Sequence, residues 1–137
     1  NKLKNFIKKE KLNCKKIIWI NYSNNITNIL KKISLVVVPS IKFESFGRIV
    51  VEAMALKKPV ITSNFGGLKE VNINNKTGYV INVNNTNLLS NKIINLLNNK
   101  NKRNSLGYSG YKIFKNNFTS NIMSKNYYNF VKKEICK

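Results

Sequence analysis

Two glutamates, Glu44 and Glu52, stand out in a 137-residue chain that has 5 acidic residues, 25 basic ones and a formal net charge of +20. Between them runs Ser45-Phe46-Gly47-Arg48, followed by Ile49, Val50, Ala53, Met54 and Leu56 at helical spacing. The first turn of a helix has unpaired N–H groups and a partial positive charge, and so takes phosphate. Gly47 has no side chain to block that approach. Ser45 is the expected N-cap, its hydroxyl on an early backbone N–H. Eight helical residues from Glu44 to Glu52 would span roughly 12 Å, about the reach of a nucleotide sugar from hexose to ribose. Carboxylates accept paired hydrogen bonds from vicinal hydroxyls. One glutamate would hold the sugar, the helix end the diphosphate, and the other glutamate the ribose. Arg48 opposes the macrodipole unless a phosphate binds beside it. Its other reading is a solvated side chain with its stem on the surface. Taken singly, either glutamate could also be a surface carboxylate paired with a lysine.

These residues need a scaffold, and the sequence around them supplies one. Leu35 to Val38 is a β-branched run ended by Pro39-Ser40, which suits a buried parallel strand. Pro59 to Thr62 is the next strand, and Gly66-Gly67 turns the chain into a helix from Leu68 to Ile73. That glycine pair could let backbone approach a ligand, or simply make a tight turn. Glu70, in the helix beyond it, reads as structural. Thr77 to Ile81 is a turn and the last strand. Upstream, Lys16 to Ile20 is predicted to be a strand with Trp19 in the core. Before it, Leu3, Phe6, Ile7 and Leu12 make one apolar helical face. Asn24 or Asn25 caps a helix with Ile26, Ile29, Leu30 and Ile33 inside. Downstream, Asn84, Asn85 or Thr86 caps a helix with Leu89, Ile93, Leu96 and Leu97 on one face. A loop from Asn98 to Asn104 leads to a helix containing Leu106, Ile113 and Phe114. Phe118-Thr119 starts a final helix whose stripe of Ile122, Met123, Tyr127, Phe130 and Val131 reads as packing. Strands alternate with helices, so the fold class is α/β with a parallel sheet.

The ordered set PS-x3-ESFG-x4-EAMA-x3-PVI-x4-GG-x2-EV-x6-TGYV resembles the donor-binding half of the GT-B glycosyltransferases, in the retaining family with the E-x7-E signature. The likeness runs from about Lys16 to Tyr128. It implies a Rossmann-like C-terminal domain in which Glu44 contacts the donor sugar as the catalytic position and Glu52 the ribose. Ser45, Phe46, Gly47 and Arg48 would lie at the diphosphate, and Gly66 and Gly67 at a donor or acceptor loop. It further implies transfer of a sugar from a nucleoside diphosphate to a hydroxyl acceptor with retention of configuration. The acceptor would be a saccharide, a lipid-linked molecule or a small molecule. No metal or other cofactor is expected. One departure is Lys57, where the family carries Gly at a helix end suited to a left-handed residue; lysine there costs roughly 1 kcal/mol.

Doubly wound sheets commonly have strand order 3-2-1-4-5-6, and this chain holds the equivalents of strands 3 to 6. The resemblance therefore implies a C-terminal piece of an enzyme of roughly 350 residues. Strands 1 and 2, the family's phosphate-binding Arg and Lys and the acceptor domain would lie upstream. Residues 1–115 would form a partial donor domain, with 116–137 a helix crossing back to the other domain. The piece alone is expected to be inactive and marginally folded, with the edge at Leu35–Val38 bare. The alternative is that Lys16–Ile20 pairs directly with Leu35–Val38.

Composition narrows the rest. The chain has no His and no Asp, so an imidazole base, a Ser-His triad or an Asp-x-Asp metal site cannot come from it. Cys14 and Cys136 match no metal or redox spacing, and a reducing, cytoplasmic compartment is expected. So basic a chain suits an anionic donor and is compatible with peripheral contact at the inner face of an anionic membrane. Nucleic acid is disfavoured: the aromatics sit at core periods and no RNP-type or helix-turn-helix pattern occurs. The Lys, Asn and Ile richness also fits compositional drift. The rival to an enzyme is a non-catalytic GT-B-like module that binds a nucleotide sugar or a partner.

Overall fold

The computed structural model describes residues 2–11 and 17–135. Leu12, Cys14, Lys16 and Cys136, each named above, lie outside the described residues. The elements are helix α1 (Lys2–Lys9), α2 (Ile26–Lys32), strand β1 (Val36–Val38), α3 (Arg48–Ala55), β2 (Val60–Ser63), α4 (Leu68–Val71), β3 (Gly78–Ile81), α5 (Thr86–Asn98), α6 (Lys100–Asn117) and α7 (Ser120–Ile135). The strands form one parallel sheet in the order β1-β2-β3. Val36 pairs with Val60 and Val37 with Ile61, and Val60 and Ile61 pair in turn with Gly78 and Tyr79.

Strand residues alternate between faces, and here the alternation separates two cores. Val36 and Val60 pack with Leu30 of α2, Val50, Ala53 and Met54 of α3, and Leu68 and Val71 of α4. Ile61, Tyr79 and Ile81 pack with Leu96 of α5 and Leu106 of α6, joined by Val37. Helices thus cover both faces of the sheet, the α/β arrangement expected.

Helix ends follow local chemistry. Asn25 caps α2 and Asn85 caps α5, each side-chain oxygen accepting the N–H three residues on, from Asn28 and Leu88. Asn99 does the same for Lys102, so α6 starts at Lys100 and the predicted loop from Asn98 to Asn104 is mostly helix. At the end of α3, Lys57 is left-handed with φ 57°. Its N–H bonds to Met54 C=O at 3.0 Å and that of Lys58 to Ala53 C=O at 2.9 Å. These two bonds form a Schellman cap on a residue that glycine would fill without strain.

Two further expectations fail. Ile17–Ile20 form no strand, and Ile18, Trp19 and Ile20 are exposed; Trp19 lies outside the core, with Lys4 Nζ 5.4 Å from its ring. A β-branched run becomes a strand only where neighbouring backbone takes its N–H groups, and among the described residues β1 pairs with β2 alone. The alternative pairing of that run with β1 is therefore not formed. Leu97 is exposed although it follows buried Leu96, because α5 buries a narrower stripe than its sequence allows. In α7, Met123, Tyr127 and Phe130 are exposed and Ile122 and Val131 partly buried, so the stripe is not part of the core of the described residues.

Asn72, fully buried, ties β2 to β3. Its amide N–H groups reach Thr62 Oγ1 at 3.0 Å, Tyr79 C=O at 3.0 Å and Val60 C=O at 3.3 Å. Its Oδ1 accepts from Thr77 Oγ1 at 2.7 Å. Removing the amide would leave several buried groups unpaired. Asn72→Ala is expected to lower stability by roughly 2–3 kcal/mol, read as a shifted urea midpoint with unchanged slope.

Candidate functional site

Glu44 sits on the loop between β1 and α3, past the carboxyl end of a parallel strand, where open α/β sheets place their ligands. Helix α3 begins at Arg48, and its N-cap is Gly47 in the left-handed conformation at φ 76° with no side-chain cap bond. Ser45 is thus not the cap. The interval from Glu44 to Glu52 is part loop and part helix, so it is not a helical span of eight residues. The helical part, from Arg48 to Glu52, rises roughly 6 Å. Val50 N–H bonds to Gly47 C=O at 2.8 Å. Gly47 meets the conformational demand of this corner, since a left-handed cap costs a side-chain-bearing residue about 1 kcal/mol.

Gly66 and Gly67 lie directly against this loop. Gly67 N–H donates to Glu44 C=O at 2.8 Å. A Cβ on Gly67 would run into Ser45 C=O and come within 3.2 Å of Phe46 Cα; one on Gly66 would strike Glu44 C=O. Gly66 is also left-handed, at φ 55°. The glycine pair is therefore both a tight turn and a platform for the glutamate loop. Two more contacts complete the support, and neither was visible in the sequence. Ser63 Oγ, at the end of β2, donates to Ser40 C=O at 2.7 Å across 23 positions. The Phe46 ring meets Phe118 edge to face, centroids 5.9 Å apart at 74°. No local pattern signals either contact.

The two glutamates differ in setting. Glu44 is half-buried, and no basic side chain of the described residues pairs with it. Glu52 lies on α3 with Arg48 Nη2 at 3.8 Å from its Oε1; their side chains are 34% and 88% exposed. So exposed a pair is worth little, and both groups remain able to turn to a ligand. Glu70 is exposed in the first turn of α4. A cavity of about 120 Å³ opens beside the start of the loop, lined in part by Pro39, Ser40, Ile41, Ser63, Ile81 and Asn82. It touches neither glutamate. Among the described residues no group of three or more His, Cys, Asp or Glu comes together to hold a metal. No helix among them is long and apolar enough to cross a membrane. What the arrangement offers is two carboxylates flanking a backbone corner held open by glycine.

The profile of the glycosyl transferases group 1 family matches residues 1–113. An uncharacterized glycosyltransferase of Methanocaldococcus jannaschii is 38% identical over 109 residues, which cover 80% of this chain and 31% of that protein. The capsular polysaccharide biosynthesis glycosyltransferase CapM of Staphylococcus aureus is 29% identical over 107 residues, 78% of this chain and 28% of CapM. Among solved structures, Anabaena Alr3699/HepE in complex with UDP superposes with a TM-score of 0.90 at 21% identity, over 96% of this chain and 36% of that one. The chain thus spans about a third of the length of these proteins.

Because Gly67 is right-handed, at φ −69° and ψ −11°, alanine suits its backbone and tests close approach alone. Gly67→Ala is expected to push the glutamate loop off its platform and cost about 1–3 kcal/mol in urea denaturation. A wild-type midpoint would remove the platform from the account.

Proposed function

The chain belongs to the glycosyl transferases group 1 family, and from that premise we propose that it binds the nucleoside-diphosphate-sugar donor of a retaining glycosyltransferase of GT-B fold. The observation that carries this reading is the pair Glu44 and Glu52 on either side of the Gly47 cap, with Gly66-Gly67 beneath. In this reading Glu44 holds the donor sugar, Glu52 the ribose diol, and the N–H groups at the start of α3 the diphosphate. Arg48 leaves its weak pairing with Glu52 for the phosphate. Developing charge on the leaving diphosphate is met by backbone dipoles and cations, without a metal. Glu44 need not attack the sugar; it is strengthened contact in the transition state that makes it catalytic. Solved relatives support a nucleotide donor: Alr3699/HepE was crystallised with UDP and with UDP-glucose. CapM belongs to capsular polysaccharide biosynthesis, which favours a saccharide among the acceptors considered. Catalysis in the cytoplasm, with peripheral contact at an anionic membrane, fits the charge of +20. Residues outside this segment would complete the phosphate site and supply the acceptor domain, so the segment alone is inactive.

Two substitutions in the full-length protein test the roles. Glu52→Ala is expected to weaken nucleoside-diphosphate binding by roughly 1.5–3 kcal/mol, the worth of hydrogen bonds to a charged group; calorimetry that finds unchanged affinity removes Glu52 from the site. Glu44→Gln is expected to lower kcat while leaving nucleoside-diphosphate affinity near wild type, since the bare nucleotide lacks the sugar. Normal turnover with collapsed nucleotide affinity would mean the two roles are reversed.

A further inference from the structure

The middle of the glutamate loop projects from the sheet. Ile41 is 70% exposed and Phe43 77%. Its backbone is tied at Ser40 C=O by Ser63 and at Glu44 C=O by Gly67. Neither tie reaches Phe46 or Gly47, the residues that lead into α3 and set the direction of its first N–H groups. Leu68 lies against Gly47, and the side chain whose ring meets Phe46 is Phe118. It stands edge to face on Phe46, 5.9 Å between centroids at 74°.

Phe118 is well fixed for that task. It packs against the core that contains Leu30, Val50 and Met54. Its N–H bonds to Phe114 C=O at 2.9 Å and closes α6. The next residue, Thr119, begins the turn into α7, its C=O accepting Met123 N–H at 3.0 Å. A ring anchored in the core thus meets a ring on the loop, and the geometry is the favourable one for an aromatic pair. Phe46 remains 45% exposed, so the contact with Phe118 bears on its rotamer, while Gly67 and Leu68 hold the backbone beside it.

We propose that Phe118 is a positioning residue: through Phe46 it holds the Glu44–Gly47 loop in the orientation that presents Glu44 and the first N–H groups of α3 to the donor. The functional half of this inference rests on the donor-binding reading given above; the positional half does not.

The test uses the full-length protein and two variants. Phe118→Leu keeps an apolar side chain in the core but has no aromatic edge; Phe118→Tyr keeps the ring. Native-state hydrogen exchange is read at the Gly67 amide, which reports the bond to Glu44, and at the amides of β2 and β3. Phe118→Leu is expected to speed exchange at Gly67 by about two- to tenfold, the factor such a ring pair is worth, with the strand amides unchanged. Phe118→Tyr is expected to restore the wild-type rate. Unchanged exchange at Gly67, or acceleration shared equally with β2 and β3, overturns the proposal, the second because it marks general loosening. With UDP-glucose as the probe, Phe118→Leu is expected to lower kcat and to weaken UDP binding by similar factors, because the loop carries both Glu44 and the approach to the first N–H groups of α3. If Gly67 exchange responds but the wild-type protein neither binds nor turns over the probe, positioning stands and the donor reading falls.

Discussion

One backbone contact governs the candidate site: Gly67 N–H on Glu44 C=O at 2.8 Å. It brings the turn after β2 against the loop after β1, so that two chain segments share a space with no room for a Cβ between them. Each glycine lacks what would separate the two backbones. The parallel pairing of β1 with β2 sets the two loops side by side at the carboxyl edge of the sheet. The hydrogen bond then fixes how far Glu44 stands from that edge. Moving either loop breaks the bond and the packing together, which makes the pair behave as one unit.

Helix α3 is framed by two left-handed residues, Gly47 at φ 76° and Lys57 at φ 57°. The first caps the amino end without a side-chain hydrogen bond. The second closes the carboxyl end, where Lys57 and Lys58 complete the Schellman bonds. The strain at Lys57 is offset in part by its ammonium, which lies 5.0 Å from the Tyr111 ring. That end of α3 is also where Gly107 of α6 passes, since a Cβ there would strike Lys57 C=O. The helix is thus pinned at its carboxyl end by backbone contacts from its own cap and from α6.

The positive charge has local uses as well as a global one. Arg103 donates to Leu96 and Leu97 C=O at the end of α5, both at 2.6 Å, and Lys58 Nζ to Lys31 C=O near the end of α2 at 3.1 Å. Cations there satisfy orphan carbonyls and oppose the negative helix ends. Together with Lys57, they line a polar cavity of about 170 Å³ near the start of β2. Its cations are therefore largely engaged in holding helices, whereas the carboxylate of Glu44 has no such partner among the described residues.

What the sequence by itself determined is what short range can carry. The strands at Val36–Val38, Val60–Ser63 and Gly78–Ile81 follow from β-branched runs between turn residues, and α3 from its apolar period. The caps Asn25 and Asn85 act within three residues. The order of PS, ESFG, EAMA, PVI, GG and TG pointed to the family. Tertiary structure alone decided where α3 begins. Ser45 could cap a helix in isolation, but its carbonyl is committed to the packing beneath Gly67, and the chain turns helical only after Gly47. It also decided the fate of Ile17–Ile20, whose β-forming side chains cannot make a strand without a neighbouring backbone. The holds on the glutamate loop from Ser63 and Phe118 come from distant parts of the chain. Contacts between such distant residues leave no periodicity or spacing to read; they exist only once the sheet has brought its carboxyl edge and its last helices together.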